Sequence, residues 1–190
     1  MSNKKGVLAV VSGPSGCGKG TVLSYVLKNE NYGYSISATT RSPREGEENG
    51  VHYFFISKEE FLGRVAEGRF LEHAEYCNNY YGTPRDYVEK LLDEGKNVIL
   101  EIETKGALMV KENAPQALLI FVSPPDMQTL ENRLRGRGTE DEETIQKRLK
   151  KAAEEMELIP KYDLCITNGE GQAEKAALEI MTAIDAYRNA

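Results

Sequence analysis

The chain has 190 residues, of which 40% are hydrophobic and 28% charged, so it is long enough for one hydrophobic core with small appended lobes and has the balance of a folded globular protein. Its formal net charge of −6 means that the molecule as a whole repels nucleic acid, and any anionic substrate must be met by cations gathered locally. The longest apolar runs, such as Val7–Val11 and Ala117–Val122, are too short to cross a bilayer or serve as a secretory signal, and three scattered cysteines with two histidines offer neither a disulfide framework nor a metal cluster.

In chain order, Val7–Val11 reads as a strand that ends in a glycine-rich turn. Thr21–Lys28 continues as a helix through Val22, Leu23, Val26 and Leu27. Tyr32–Ser37 reads as a second strand, Thr39–Gly50 as a polar loop and His52–Ile56 as strand again. Ser57 and Glu60 form a capping-box pattern that opens a helix ending at Gly68. Phe70–Tyr76 is a further strand. Thr83 and Pro84 are placed as N-cap and first helical residue of a helix that runs to Gly95. Val98–Ile102 and Ala117–Val122 are short apolar runs of the kind buried in a parallel sheet, with a helix between them that Pro115 ends. Ser123-Pro124-Pro125 opens the next helix, which the segment Arg135–Gly138 interrupts. Thr139–Glu142 caps a long helix with Ile145, Leu149, Ala152 and Met156 on one face. Asp163–Thr167 and a helix through Ile180 and Ile184 close the chain. This alternation predicts an α/β fold with right-handed crossovers. Ser37–Leu92 and Asp126–Leu158 interrupt it and are the places to look for substrate-specific parts.

The residues Gly13, Pro14, Ser15, Gly16, Cys17, Gly18 and Lys19 have the G-x-x-x-x-G-K spacing between a strand and a helix. Glycines let the backbone wrap an anion with successive N–H groups pointing inward, and Lys19 supplies a point charge for the β- and γ-phosphates. Gly20 stands where a Mg²⁺-binding hydroxyl often follows the lysine, and Thr21 brings a hydroxyl one residue later. No direct Ser or Thr ligand to Mg²⁺ is therefore expected from this loop, and Mg²⁺ is expected to arrive as MgATP, held mostly by ATP oxygens and water. Cys17 sits among the loop donors as a small tolerated residue or, alternatively, as an oxidisable thiolate.

Arg41 and Arg44 lie three apart in Ser37–Glu47, a spacing suited to gripping phosphate. With the runs GPSGCGKGT at Gly13–Thr21, HYFF at His52–Phe55, FLEHAEYCNNYYGTP at Phe70–Pro84, LEIETKG at Leu100–Gly106 and RLRGRGTEDEETIQKRL at Arg133–Leu149, the chain closely resembles the guanylate kinase family over essentially its whole length. That resemblance implies a P-loop kinase fold: a parallel sheet flanked by helices (residues 1–36, 93–125 and 159–190), an inserted GMP-binding lobe (37–92) and a helical lid (126–158). It implies ATP + GMP ⇌ ADP + GDP, while the short apolar runs and the negative charge predict a cytoplasmic protein with neither membrane nor nucleic acid as partner. By the same resemblance Lys19, Arg41, Arg137 and Arg148 are catalytic. The loop Gly13–Thr21, including Gly20 and Thr21, binds ATP together with Arg133 and Arg137. Arg41, Arg44, Tyr53 and Tyr81 grip the GMP phosphate, and Ser37, Glu72, Thr83 and Glu103 read guanine. Glu101 and Glu103 stand where many members carry aspartate. Two other readings are a relative with a ribosyl-phosphate acceptor, which has no use for Glu72 and Thr83 as base readers, and a non-catalytic interaction module, in which the phosphate loop is typically degraded.

Overall fold

The computed structural model describes residues 4–136, 138 and 140–189. At its centre lies β1 (Leu8–Ser12), every residue of which is buried. Around it form β2 (Tyr32–Tyr34), β7 (Asn97–Glu101), β8 (Leu118–Ser123) and β9 (Leu164–Thr167), giving a five-stranded sheet of order β2-β7-β1-β8-β9. All its pairings are parallel, in register Val10↔Leu100 on one side of β1 and Val10↔Leu119 on the other. Unbroken apolar runs are what a sheet covered on both faces requires. Residues alternate between two cores accordingly. Ala9, Val11, Ile99 and Ile120 pack with α1 (Lys19–Val26) and α7 (Ala173–Asn189), whereas Leu8, Val10, Leu100 and Leu119 pack with α3 (Arg85–Asp93) and α4 (Thr104–Asn113).

A second sheet of four strands, β4-β3-β6-β5, comes from β3 (Ala38–Thr39), β4 (Phe54–Phe55), β5 (Phe70–Tyr76) and β6 (Asn79–Pro84). Its own small core is Ala38, Phe61 and Phe70, with the rings of Phe61 and Phe70 stacked at 4.4 Å; Phe61 comes from α2 (Lys58–Ala66). The third unit is the pair α5 (Met127–Arg135) and α6 (Glu142–Met156), which meet through Leu130, Leu134, Ile145 and Ala152.

Several element boundaries differ from the sequence expectation. The expected strand Tyr32–Ser37 is split: Tyr32–Tyr34 joins the central sheet, and the chain crosses at Ser35–Ser37 to pair Ala38 and Thr39 in the second. The strand expected at His52–Ile56 is only Phe54–Phe55. Thr83 is not a helix cap. It belongs to β6, which pairs antiparallel with β5, and Pro84 takes the N-cap position without a side-chain bond. Asp126, rather than Ser123-Pro124-Pro125, caps α5 by accepting from Thr129 N at 2.6 Å, and Asp141 caps α6 by accepting from Thr144 N at 2.8 Å. Thr139 lies outside the described residues. Ser57 does cap α2 through Glu60 N, but Glu60 bonds Arg64 instead of returning to Ser57, so half of the capping box forms.

Ile120 is fully buried in the central sheet between two packed layers. Ile120→Ala is expected to lower unfolding free energy by about 2–5 kcal/mol without changing the denaturant m-value, measured by urea unfolding; a loss below about 1 kcal/mol contradicts close packing there.

Candidate active site

The phosphate loop begins where β1 ends. Gly13 has φ +146, and a Cβ there would stand 2.1 Å from Val122 O, so the turn out of the sheet requires glycine. Gly18, at φ +90, is the N-cap of α1. Among the described residues, Cys17 N bonds Pro14 O, while the N–H groups of Gly16, Gly18, Lys19, Gly20 and Thr21 have no acceptor. Free donors at a helix N-terminus form an anion receptor. Lys19 folds back over the loop, its Nζ donating to Gly13 O at 2.6 Å and Pro14 O at 3.1 Å. Gly20 is exposed, and a Cβ there would meet nothing within 4 Å.

Cys17 is fully buried, with its Sγ 3.9 Å from Lys19 Nζ. Burial pushes its thiol above the usual range in spite of Lys19 and Arg133. The oxidisable-thiolate reading has no support here, and Cys17 is a packed loop residue.

Two cavities open on the loop. One, of about 350 Å³, is lined by Gly13, Ser15, Lys19, Glu101, Ile102, Glu103, Arg148, Lys151 and Glu155. It lies at the carboxyl ends of parallel strands, where α/β folds place their ligands. Arg148 reaches it from α6, bonding Ser15 Oγ at 3.2 Å and pairing with Glu140. Three residues on, Lys151 pairs with Glu103 at 2.9 Å. One turn further, Glu155 is buried, and desolvation holds its carboxyl above the ordinary range although Lys151 and Lys19 draw it back. The other cavity, of about 500 Å³, is bounded by Gly16, Gly18, Thr21, Arg133 and Asn168 among others. Arg133 ties its walls together, donating to Cys17 O at 3.2 Å and Asn168 O at 2.9 Å. Asn168 Nδ2 also bonds Cys17 O, while its buried Oδ1 has no partner within the described chain.

The second sheet brings most of the other expected residues together. Arg41 lies over the rings of Tyr53 and Phe55 at 5.5 and 5.8 Å, and Tyr53 meets Tyr81 edge-on at 6.2 Å. Arg44 is exposed on the same loop. Ser37 and Tyr53 share a small cavity of about 130 Å³ with Tyr34, His52 and Glu101. Glu72, on β5, is buried and accepts from Thr83 Oγ1 at 2.6 Å. Burial raises its carboxyl pKa, with Thr83 opposing. Its Oε2 lies 3.3 Å from where a Cβ of Gly106 would be, so the glycine leaves that oxygen room.

Glu103 stands apart: it lines the cavity of about 350 Å³ beside Lys19, and its carboxylate is on Lys151. Arg137 lies outside the described residues. Arg135, read from sequence as an extra charge, pairs with Glu131 and Glu142 on the helix surface. Sequence reasoning assigned no site position to Glu101, Lys151, Glu155 or Asn168. Glu101 lines both the phosphate-loop cavity and the small one. The signal for Lys151 and Glu155 was present in their i+3 and i+7 spacing from Arg148. Among the described residues no cluster of three or more His, Cys, Asp or Glu side chains is arranged to hold a metal ion, and no helix is long and apolar enough to cross a membrane.

Comparison with known proteins places the chain in a family. The chain is 50% identical to a guanylate kinase of Latilactobacillus sakei over 90% of its own length and 84% of the relative's. To a guanylate kinase of Halalkalibacterium halodurans it is 52% identical, with the same two coverages. Among solved structures, the guanylate kinase of Anaplasma phagocytophilum superposes with a TM-score of 0.72 at 35% identity, covering 99% of this chain and 89% of that one. The family model described as guanylate kinase matches residues 5–187, and the chain belongs to the guanylate kinase family.

Proposed function

We propose that this chain transfers the γ-phosphoryl group of ATP to GMP, giving ADP and GDP, within purine nucleotide metabolism. The observation that carries the choice of acceptor is the buried Glu72 carboxylate held by Thr83, with Gly106 leaving one of its oxygens open. Guanine offers N1–H and N2–H₂ side by side to a single carboxylate, and adenine presents no such pair. An adenine in the same pocket leaves a buried carboxylate unpaired, which supports strong discrimination. A ribosyl-phosphate acceptor gives this pair no task, and an intact phosphate loop with Lys19 speaks against a purely binding role.

In this reading the free N–H groups of the loop and Lys19 hold the donor phosphates, and the cavity beside Arg133 and Asn168 takes the adenosine end. Arg41, Arg44, Tyr53 and Tyr81 hold the acceptor phosphate; Ser37 and Thr83 assist Glu72. Glu103 contributes to the base side only by leaving Lys151. Arg148 and Arg137 stabilise the charge that spreads over the transferring group. The GMP phosphate oxygen is already an anionic nucleophile, so positioning and charge stabilisation suffice without a general base. Glu101 and Glu103, which line the same cavity, offer hard oxygens that would suit a hydrated Mg²⁺ held mainly by ATP. When bound, that ion would neutralise part of the negative charge of the ATP phosphates. Swinging of α5 and α6 over the loop would exclude water, which otherwise hydrolyses ATP.

A coupled assay of ADP formation with GMP, AMP, CMP and UMP tests the assignment. Turnover with GMP at least about a hundredfold above the others is expected; equal rates with AMP, or none with GMP, refute it. Lys19→Ala is expected to reduce kcat by about a hundredfold or more while GMP still binds; parental kcat removes Lys19 from the reaction. Guanine recognition needs ionised Glu72, whose folded pKa is raised. KM for GMP should therefore climb as pH falls through that value while KM for ATP holds steady, and Glu72→Gln should weaken GMP binding and abolish this acid limb. An acid limb that survives in Glu72→Gln assigns the titration elsewhere.

A further inference from the structure

One carboxylate sits inside the proposed phosphate grip. Glu47 Oε1 accepts from Arg41 Nη2 at 2.9 Å, and its Oε2 accepts from the backbone N–H of Arg44 at 2.7 Å. By simple electrostatics a negative group at this point opposes binding of a phosphate dianion. Its geometry supplies the compensating reason for its presence.

The pair differs from the surface ion pairs of this protein. Arg41 and Glu47 side chains are 16% and 17% exposed, against 55% and 73% for Lys151 and Glu103. Exposed pairs hold their partners weakly; shielded ones with several fixed contacts hold them well. Arg41 has several further contacts: Nη1 donates to Ser42 O at 2.7 Å, Cζ lies 5.5 and 5.8 Å from the ring centroids of Tyr53 and Phe55, and Arg41 N bonds Thr39 Oγ1 at 3.2 Å. Glu47 also closes the turn, since its own N–H donates to Arg44 O at 3.0 Å. A guanidinium has five N–H donors, so these contacts leave others free for an incoming phosphate.

We infer that Glu47 is a positioning residue that sets the Arg41 guanidinium and the Arg44 backbone in their phosphate-gripping arrangement before the nucleotide arrives. The inference rests on the reading of Arg41 as a GMP phosphate contact. Glu47 acts by removing freedom from a long side chain and a loop in advance, which lowers the ordering cost of binding. Arg41 holds the Glu47 carboxyl down at about 2, so the pair stays ionised throughout any practical assay range and acts as a fixed strut rather than a pH switch.

Steady-state kinetics on Glu47→Ala, Arg41→Ala and the double variant test this, with melting temperatures recorded for each. Glu47→Ala is expected to raise KM for GMP about tenfold and leave KM for ATP within about twofold. Glu47→Gln, which keeps an acceptor for the Arg44 N–H but loses the charge, should fall between parent and alanine. In the Arg41→Ala background the Glu47→Ala change should raise KM for GMP by a smaller factor than in the parent, because only its hold on the Arg44 backbone remains. A structural contribution to the loop alone would add the same factor in both backgrounds, and that result overturns the inference. So does a KM for GMP within twofold of the parent in a folded Glu47→Ala protein. If Arg41→Ala itself leaves KM for GMP unchanged, the reading of the grip fails, separately from the role of Glu47.

Discussion

Backbone N–H groups that have no acceptor inside the chain must find one outside it, and among the described residues five of them lie together between Gly16 and Thr21. Gly13–Thr21 leaves the central strand of a parallel sheet and enters a helix, so its donors and the helix dipole converge on one point. Because the strands are parallel, β1, β7 and β8 all deliver their carboxyl ends to the same edge. Lys19, Glu101 and Glu103 thereby surround one cavity although they are far apart in the chain. The second sheet and the α5–α6 pair are arranged about that edge, and the site follows from the turn.

An acidic chain that handles nucleotides faces a contradiction, which the structure resolves locally. The site cations come from four separate elements, and most rest on an oxygen of the protein itself. Lys19 lies on the loop carbonyls, Arg148 on Ser15 and Glu140, Arg133 on Cys17 O and Asn168 O, and Arg41 on Glu47. Such contacts keep like charges from forcing the site open and hold long side chains near their working positions. They also mean that a phosphate must compete with internal acceptors. A ligand bearing several phosphate oxygens in the right places does so better than a simple anion. Lys151 on Glu103 adds a link between the helix that carries Arg148 and the N-terminus of α4.

Burial decides the chemistry of individual groups in the same way. Cys17 and Lys19 are neighbours in the loop, yet desolvation outweighs the lysine and keeps the thiol protonated. Glu72 is likewise desolvated, and its hydrogen bond from Thr83 only partly offsets this. A carboxylate held at that balance is only partly satisfied by its one neighbour, which is the physical basis for proposing it as the reader of guanine.

The sequence by itself determined the alternation of strands and helices, the phosphate loop with its required glycines, and the cap at Ser57. Each of these depends on contacts within a few residues. The order of its motifs also placed Arg41, Tyr53, Tyr81, Glu72 and Thr83 in one family pattern. Tertiary structure alone decided the rest. The break at Ser35–Ser37 exists because two different sheets claim the two halves of that segment. Thr83 looks like a helix cap locally, but pairing with β5 makes it the partner of Glu72. Glu101 faces two cavities, and Asn168 lines a third through its bond to Cys17, 151 residues away in the chain. Such roles are set by which residues become neighbours after folding, and local periodicity carries no record of a partner so distant in the chain.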